Sequence, residues 1–196
     1  MMLKKNDMNA LINQVNSLKP KINGIVKKRL AEFRSNDKFS ELCFCLLTAN
    51  YNAERAIKIQ EALGKQFCSM SEKQLSKALS DLGYRYPNKR AGYIIEARKH
   101  KIVMDRDWLV NNVTGLGMKE ASHFLRNVGY NDYAIIDFHI IDLLVRYKLI
   151  NRPKTLTKNK YLEIEGVLKR IAEKLGISLG ELDLYLWYIE TGKVLK

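Results

Sequence analysis

The 196-residue chain is short of several things, and each shortage excludes a class of protein. Cysteine is limited to Cys43, Cys45 and Cys68. An odd count without a secretory leader argues against a disulfide framework, and three thiols fall short of a four-thiolate iron–sulfur cluster. A structural zinc site would have to recruit a histidine to a Cys-x-Cys pair set in the apolar run 42–47. No metal site is therefore expected, and the cysteines read as small buried core thiols. Proline is confined to Pro20, Pro87 and Pro153, the composition is even from end to end, and no repeat has a fixed period. Nowhere do about 18 apolar residues follow one another, which argues against a membrane-spanning helix. Residues 1–10 carry neither the apolar region nor the cleavage site of a secretory signal, so a cytoplasmic location is expected.

What the chain has in excess is positive charge. Lysine and arginine number 34 against 21 acidic residues, a net charge of +13 with a pI near 9.6. Such a balance favours a polyanionic partner, because it concentrates nucleic acid locally and releases counterions on binding; it specifies neither fold nor reaction. The apolar residues, 46% of the chain, recur at helical spacing nearly everywhere, as in Ile22, Ile25, Val26, Leu30 and Phe33. No stretch shows the alternation of a half-buried strand. An all-α fold is expected, with helices over 22–34, 39–49, 53–63, 71–82, 88–101, 106–112, 118–128, 134–148, 158–175 and 179–190. Ser71 with Gln74 and Ser178 with Glu181 form capping boxes, and Gly83 and Gly192 read as stops. The length suits one compact domain or two small lobes.

Two segments carry chemistry. In Val113-Thr-Gly-Leu-Gly-Met-Lys-Glu-Ala-Ser122, Gly115 and Gly117 allow a tight hairpin. A helix starting near Met118 points its unpaired N–H groups outward, which suits a phosphate, although Gly-x-Gly also serves as ordinary turn chemistry. Lys119 sharpens the reading: a lysine in the first turn opposes the helix dipole, which favours the neutral amine that Schiff-base chemistry needs. A solvated phosphate contact is its other reading. In Ala134-Ile-Ile-Asp-Phe-His-Ile140, Asp137 is a carboxylate in an apolar run, one helix and a turn downstream of Lys119. It reads as an acidic partner of the lysine or as the N-cap of the next helix, and the two roles are compatible.

Together these segments resemble the helix-hairpin-helix, Gly/Pro-Asp superfamily of DNA glycosylases, and within it the archaeal-type 8-oxoguanine DNA glycosylase/lyases. The resemblance runs from about Glu41 to Lys196, through Leu-Cys-Phe-Cys-Leu-Leu-Thr-Ala-Asn (42–50), Leu-Gly-Tyr-Arg-Tyr-Pro-Asn-Lys-Arg-Ala (82–91), Ser-His-Phe-Leu-Arg-Asn-Val-Gly (122–129) and Glu-Thr-Gly-Lys-Val-Leu-Lys (190–196). Phe138 departs from the pattern, which has an arginine there. The missing cluster cysteines separate the chain from the endonuclease III branch.

The resemblance implies a two-lobed, all-α helix-hairpin-helix DNA glycosylase fold. One lobe spans 40–129 and ends in the hairpin, the other joins 1–39 to 130–196, and the active-site cleft lies between them. It implies a bifunctional enzyme on double-stranded DNA containing 8-oxoguanine: Lys119 attacks C1′ of a flipped nucleotide, Asp137 faces the sugar and shuttles a proton, and the imine permits β-elimination. Gly115, Gly117, Arg85, Arg90 and His139 would grip the DNA. Asn50 would fill the space left by the flipped base, or cap a helix; Tyr86 would wedge between base pairs, or be a loop aromatic; Trp187 would stack on the base, or be core. The carboxylate of Lys196 would accept the hydrogen that 8-oxoguanine carries on N7, or 193–196 is a frayed basic tail. The chemistry needs no metal, while an alkali cation at the hairpin is implied. A monomer without membrane contact, beside the nucleoid of a prokaryotic cytoplasm, is expected. A non-catalytic DNA-binding module and a glycosylase for another base are the alternatives.

Overall fold

A computed structural model describes the backbone of residues 5–196 and the side chains from residue 8 onward. Among the described residues the regular structure is helical throughout, in the order α1 (Lys5–Phe33), α2 (Lys38–Thr48), α3 (Ala53–Leu63), α4 (Gln66–Ser69), α5 (Glu72–Asp81), α6 (Pro87–Ala97), α7 (Arg106–Asn112), α8 (Met118–Asn127), α9 (Phe138–Arg146), α10 (Lys158–Leu175) and α11 (Leu179–Thr191). None of these helices is long and apolar enough to cross a membrane. The chain divides into two compact units, one of Asn36–Val128 and one joining the stretch up to Ser35 with Gly129–Lys196.

The Asn36–Val128 unit is built around α2. Every residue from Glu41 to Thr48 is buried, as expected of a helix that is apolar on all sides. Helices α3, α4, α6 and α8 pack against it. Its one buried carboxylate, Glu41, is matched by amides: Gln60 Nε2 donates to Oε1 at 3.1 Å and Asn127 Nδ2 to Oε2 at 2.9 Å. Cys43 and Cys45 are buried there, and burial pushes both thiols well above their ordinary range. Cys68 corrects the expectation of three core thiols, because it lies exposed. The short helix α4 buries only Phe67, so its neighbour on the helix turns outward.

In the other unit α1 packs on α10 and α11, and α9 on α11. Here two helix boundaries depart from the sequence pattern. The first helix starts at Lys5 instead of 22 and runs through Pro20. An interior proline removes one donor and costs roughly 3 kcal/mol. However, Met8, Leu11, Val15, Ile22, Val26 and Phe33 form one buried stripe on both sides of it, worth about 1.5–3 kcal/mol per side chain. Pro20 and Asn16 are both exposed, so the missing bond falls on the solvent side.

The second departure is α9, which begins at Phe138 and not at 134. Side chains of α10 claim the backbone of the preceding residues: Glu165 Oε2 accepts from Ala134 N at 2.9 Å, and the buried Tyr161 hydroxyl donates to Ala134 O at 2.7 Å while accepting from Ile136 N at 3.1 Å. A backbone bonded in this way cannot also close helical bonds. Helix α6 likewise stops at Ala97, short of 101, where Arg98 turns its guanidinium onto the carbonyls of Phe67 and Met70.

Candidate active site

The hairpin joins α7 to α8. Asp105 caps α7 by accepting from Trp108 N at 2.7 Å, and Leu116 N then bonds Val113 O at 3.1 Å to close the turn. The two glycines do different work. Gly115 sits at φ +93°, a backbone state that L side chains resist, and an added Cβ would lie 2.7 Å from Tyr93 Cε2. Gly117 is extended and is the N-cap of α8; a Cβ there would come within 3.2 Å of Glu120 Oε2. No side chain caps α8, so its first turn meets any anion with its own N–H groups and dipole.

Lys119 is the second residue of that helix. Its side chain is 24% exposed and Nζ stands 4.0 Å from Glu120 Oε1, whose own side chain is 18% exposed. Glu120 carries no role in the sequence pattern itself. Its signal was an acidic residue in the first turn of a helix whose N-cap has no side chain. Beyond this turn α8 is buried: His123 packs edge-on against Phe44 with centroids 5.5 Å apart, and Ser122 Oγ accepts from Arg106 Nη1 at 3.3 Å.

The same unit places the other residues of the 42–91 region. Asn50 is exposed, follows the C-cap Ala49 of α2, and holds φ +59°. It is not the N-cap of α3, where Asn52 accepts from Arg55 N at 3.0 Å; its left-handed backbone just past Ala49 places it at the C-terminal capping position of α2. Arg85 and Tyr86 are exposed and stack on each other, guanidinium carbon to ring centroid 5.0 Å. Tyr86 is the N-cap of α6, ahead of Pro87. Arg90 corrects the expectation of a DNA contact. It is buried, its Nη2 donates to Ala49 O at 3.0 Å, and its guanidinium lies over the Tyr93 ring. The sequence hides this because its partner is a backbone carbonyl.

In the unit containing Gly129–Lys196, Asp137 caps α9: Oδ1 accepts from Ile140 N at 3.0 Å. Oδ2 makes no hydrogen bond among the described residues. One oxygen thus fixes the carboxylate while the other stays available. Phe138 and His139 stack with centroids 3.9 Å apart, and His139 meets Trp187 edge-on at 5.1 Å. Phe138 is 64% exposed, whereas Trp187 is half-buried with an Nε1 that has no hydrogen-bond partner among the described residues. Helix α11 ends at Gly192 in the left-handed conformation, with Gly192 N bonded to Tyr188 O at 2.8 Å. The last three residues, Val194 to Lys196, are half-buried.

The chain's relatives agree with this architecture. A family model described as 8-oxoguanine DNA glycosylase matches residues 26–177. An 8-oxoguanine DNA glycosylase/AP lyase of Korarchaeum cryptofilum is 50% identical, over 95% of this chain and 98% of the relative. The crystal structure of the Methanocaldococcus jannaschii 8-oxoguanine glycosylase/lyase, in complex with a 15-mer DNA containing 8-oxoguanine, superposes with a TM-score of 0.91 at 47% identity. It covers 95% of this chain and 100% of that one. The 8-oxoguanine DNA glycosylase of Thermotoga maritima gives a TM-score of 0.89 at 40% identity, over 96% and 100%. With a matched family model over most of its length and relatives of this identity from end to end, the chain belongs to the 8-oxoguanine DNA glycosylase family.

Proposed function

We propose that this protein excises 8-oxoguanine from double-stranded DNA and then cuts the strand at the abasic site. The observation that carries the reading is end-to-end similarity, at up to 50% identity, to proteins named for both activities. The geometry supports a role for each reactive group. Lys119, half-buried in the uncapped first turn of α8, supplies the amine. It attacks C1′ as the bond from C1′ to the base nitrogen breaks, and the base leaves with the bonding electrons. Asp137, anchored through Oδ1, uses Oδ2 to stabilise positive charge on the sugar and to accept a proton from the attacking amine. Ring opening gives an imine between Lys119 and C1′. Loss of a C2′ proton then expels the 3′ phosphate, which is the β-elimination.

The phosphates are gripped by the N–H groups at Gly117 and the first turn of α8, together with the exposed Arg85. The hairpin otherwise offers backbone oxygens, hard donors that suit an alkali cation beside a phosphate. Trp187 and the Lys196 carboxylate form the base-reading group, with an acceptor facing N7–H of the damaged base, and His139, edge-on to Trp187, contacts the DNA backbone beside them. Asn50 fills the gap in the duplex and Tyr86 wedges beside it. The protein acts as a monomer in the cytoplasm, at the nucleoid. The test is a panel of duplexes carrying 8-oxoguanine, uracil, thymine glycol or 3-methyladenine. Release and strand cutting on 8-oxoguanine support the reading; activity on another base alone, or binding with no activity, overturns it.

A further inference from the structure

We infer that Arg90 is a positioning residue that sets the turn presenting Asn50, so that excision depends on it although it does not touch DNA. Four observations converge on one guanidinium within the Asn36–Val128 unit. Arg90 is 8% exposed, and its Nη2 donates to the carbonyl of Ala49 at 3.0 Å. The next residue, Asn50, is held at φ +59°, a conformation that costs a non-glycine residue on the order of 1 kcal/mol and persists where its surroundings impose it. The guanidinium carbon lies 5.4 Å from the Tyr93 ring centroid. That ring in turn fills the space a side chain on Gly115 would need, and the same missing Cβ would stand 3.3 Å from Arg90 Nη1.

A planar guanidinium can donate to a carbonyl while lying over an aromatic ring, as here to Ala49 O and over Tyr93; a lysine ammonium, one point of charge on a flexible stem, does not hold both. Tyr84 reinforces the Ala49 segment, its hydroxyl donating to Leu47 O at 2.8 Å, two residues upstream of Ala49. The carbonyl that opens the Asn50 turn is therefore held by a side chain that the Tyr93 ring keeps in place. Asn50 is exposed, and its side chain makes no hydrogen bond among the described residues that would fix it. Its direction comes from the backbone, and the backbone is held at Ala49.

The inference rests on the glycosylase reading, and a double-mutant cycle on single-turnover base release from 8-oxoguanine duplex separates the two. Arg90→Met keeps the bulk and loses both contacts; it should slow release on the order of tenfold or more while circular dichroism still reports a folded helical protein. Asn50→Gly removes the side chain and also the strain, because glycine reaches positive φ freely. If Arg90 acts through this turn, Arg90→Met added to Asn50→Gly slows release no further, since residues acting as one unit are not additive. Wild-type speed in Arg90→Met, or losses that multiply in the double variant, overturns the inference. Arg90→Lys carries the same cycle if the Met variant does not fold: its loss should lie between wild type and Asn50→Gly and vanish on the glycine background, and wild-type speed or multiplying losses overturn the inference here too. Wild-type protein that releases no 8-oxoguanine defeats the glycosylase reading instead, and is distinguished from both results.

Discussion

At the residue scale, the two groups assigned to chemistry differ in how firmly each is held. Asp137 is tied through one oxygen to the N-terminus of α9, so Asp137→Asn keeps an acceptor for Ile140 N and should retain the helix and DNA binding. It should nevertheless slow single-turnover base release by at least about a hundredfold, the scale of a lost general-acid or base contribution. An unchanged rate removes Asp137 from the mechanism. Lys119 is reported by borohydride, which reduces an imine to a stable cross-link. Wild type should be trapped on lesion DNA and Lys119→Gln should not; equal trapping refutes the assignment. The cysteines make a separate forecast from burial. Cys43 and Cys45 are enclosed and their thiols are pushed upward, while Cys68 faces solvent. A thiol reagent near neutral pH should modify one cysteine rapidly in the native protein and all three after unfolding. Fast reaction of more than one would mean that α2 opens.

At the scale of elements, the sequence was most legible where apolar period and punctuation agree. Helix α10 and the Ser178 start of α11 stand where their spacing and caps put them, and Asp137 is the N-cap that its place before α9 allowed. Reading failed where side chains far away in sequence decide the backbone. Nothing local announces that Tyr161 and Glu165 will hold residues 134–136 extended, nor that one stripe will carry α1 through Pro20. The same holds for Arg90: the resemblance implies a DNA contact, whereas its partner is a carbonyl 41 positions away. The extended segment before Asp137 gives a test at this scale. Tyr161→Phe removes one hydroxyl that serves Ala134 O and Ile136 N, leaving buried backbone groups unpaired. Stability should fall by about 1–3 kcal/mol, measured by urea or thermal unfolding. A change below about 0.5 kcal/mol would mean that the segment is held by Glu165 and packing alone.

For the whole molecule, the net charge of +13 should be visible in how binding responds to salt. Each phosphate neutralised by a lysine or arginine releases condensed counterions, so log affinity for duplex falls with log salt at a slope of roughly −0.9 per contact. Even four such contacts give a slope near −3.6 by that rule, about a 150-fold loss between 50 and 200 mM salt. The chemistry should not share this dependence. On the proposed mechanism, base release once DNA is bound involves Lys119, Asp137 and the base-reading group, and the condensed ions have already left. Affinity for undamaged duplex should therefore drop steeply over this range, while the single-turnover rate at saturating protein stays within about twofold. A flat affinity would show that the charge serves another purpose. A saturated rate falling in parallel with affinity would show that extrusion of the nucleotide, rather than encounter, depends on the basic surface. Tyr86→Ala separates the two contributions further. An exposed aromatic that wedges between base pairs carries no charge, so its loss should weaken binding to lesion duplex more than to undamaged duplex and leave the salt slope unaltered. Equal weakening on both duplexes would reduce Tyr86 to a structural aromatic ahead of α6.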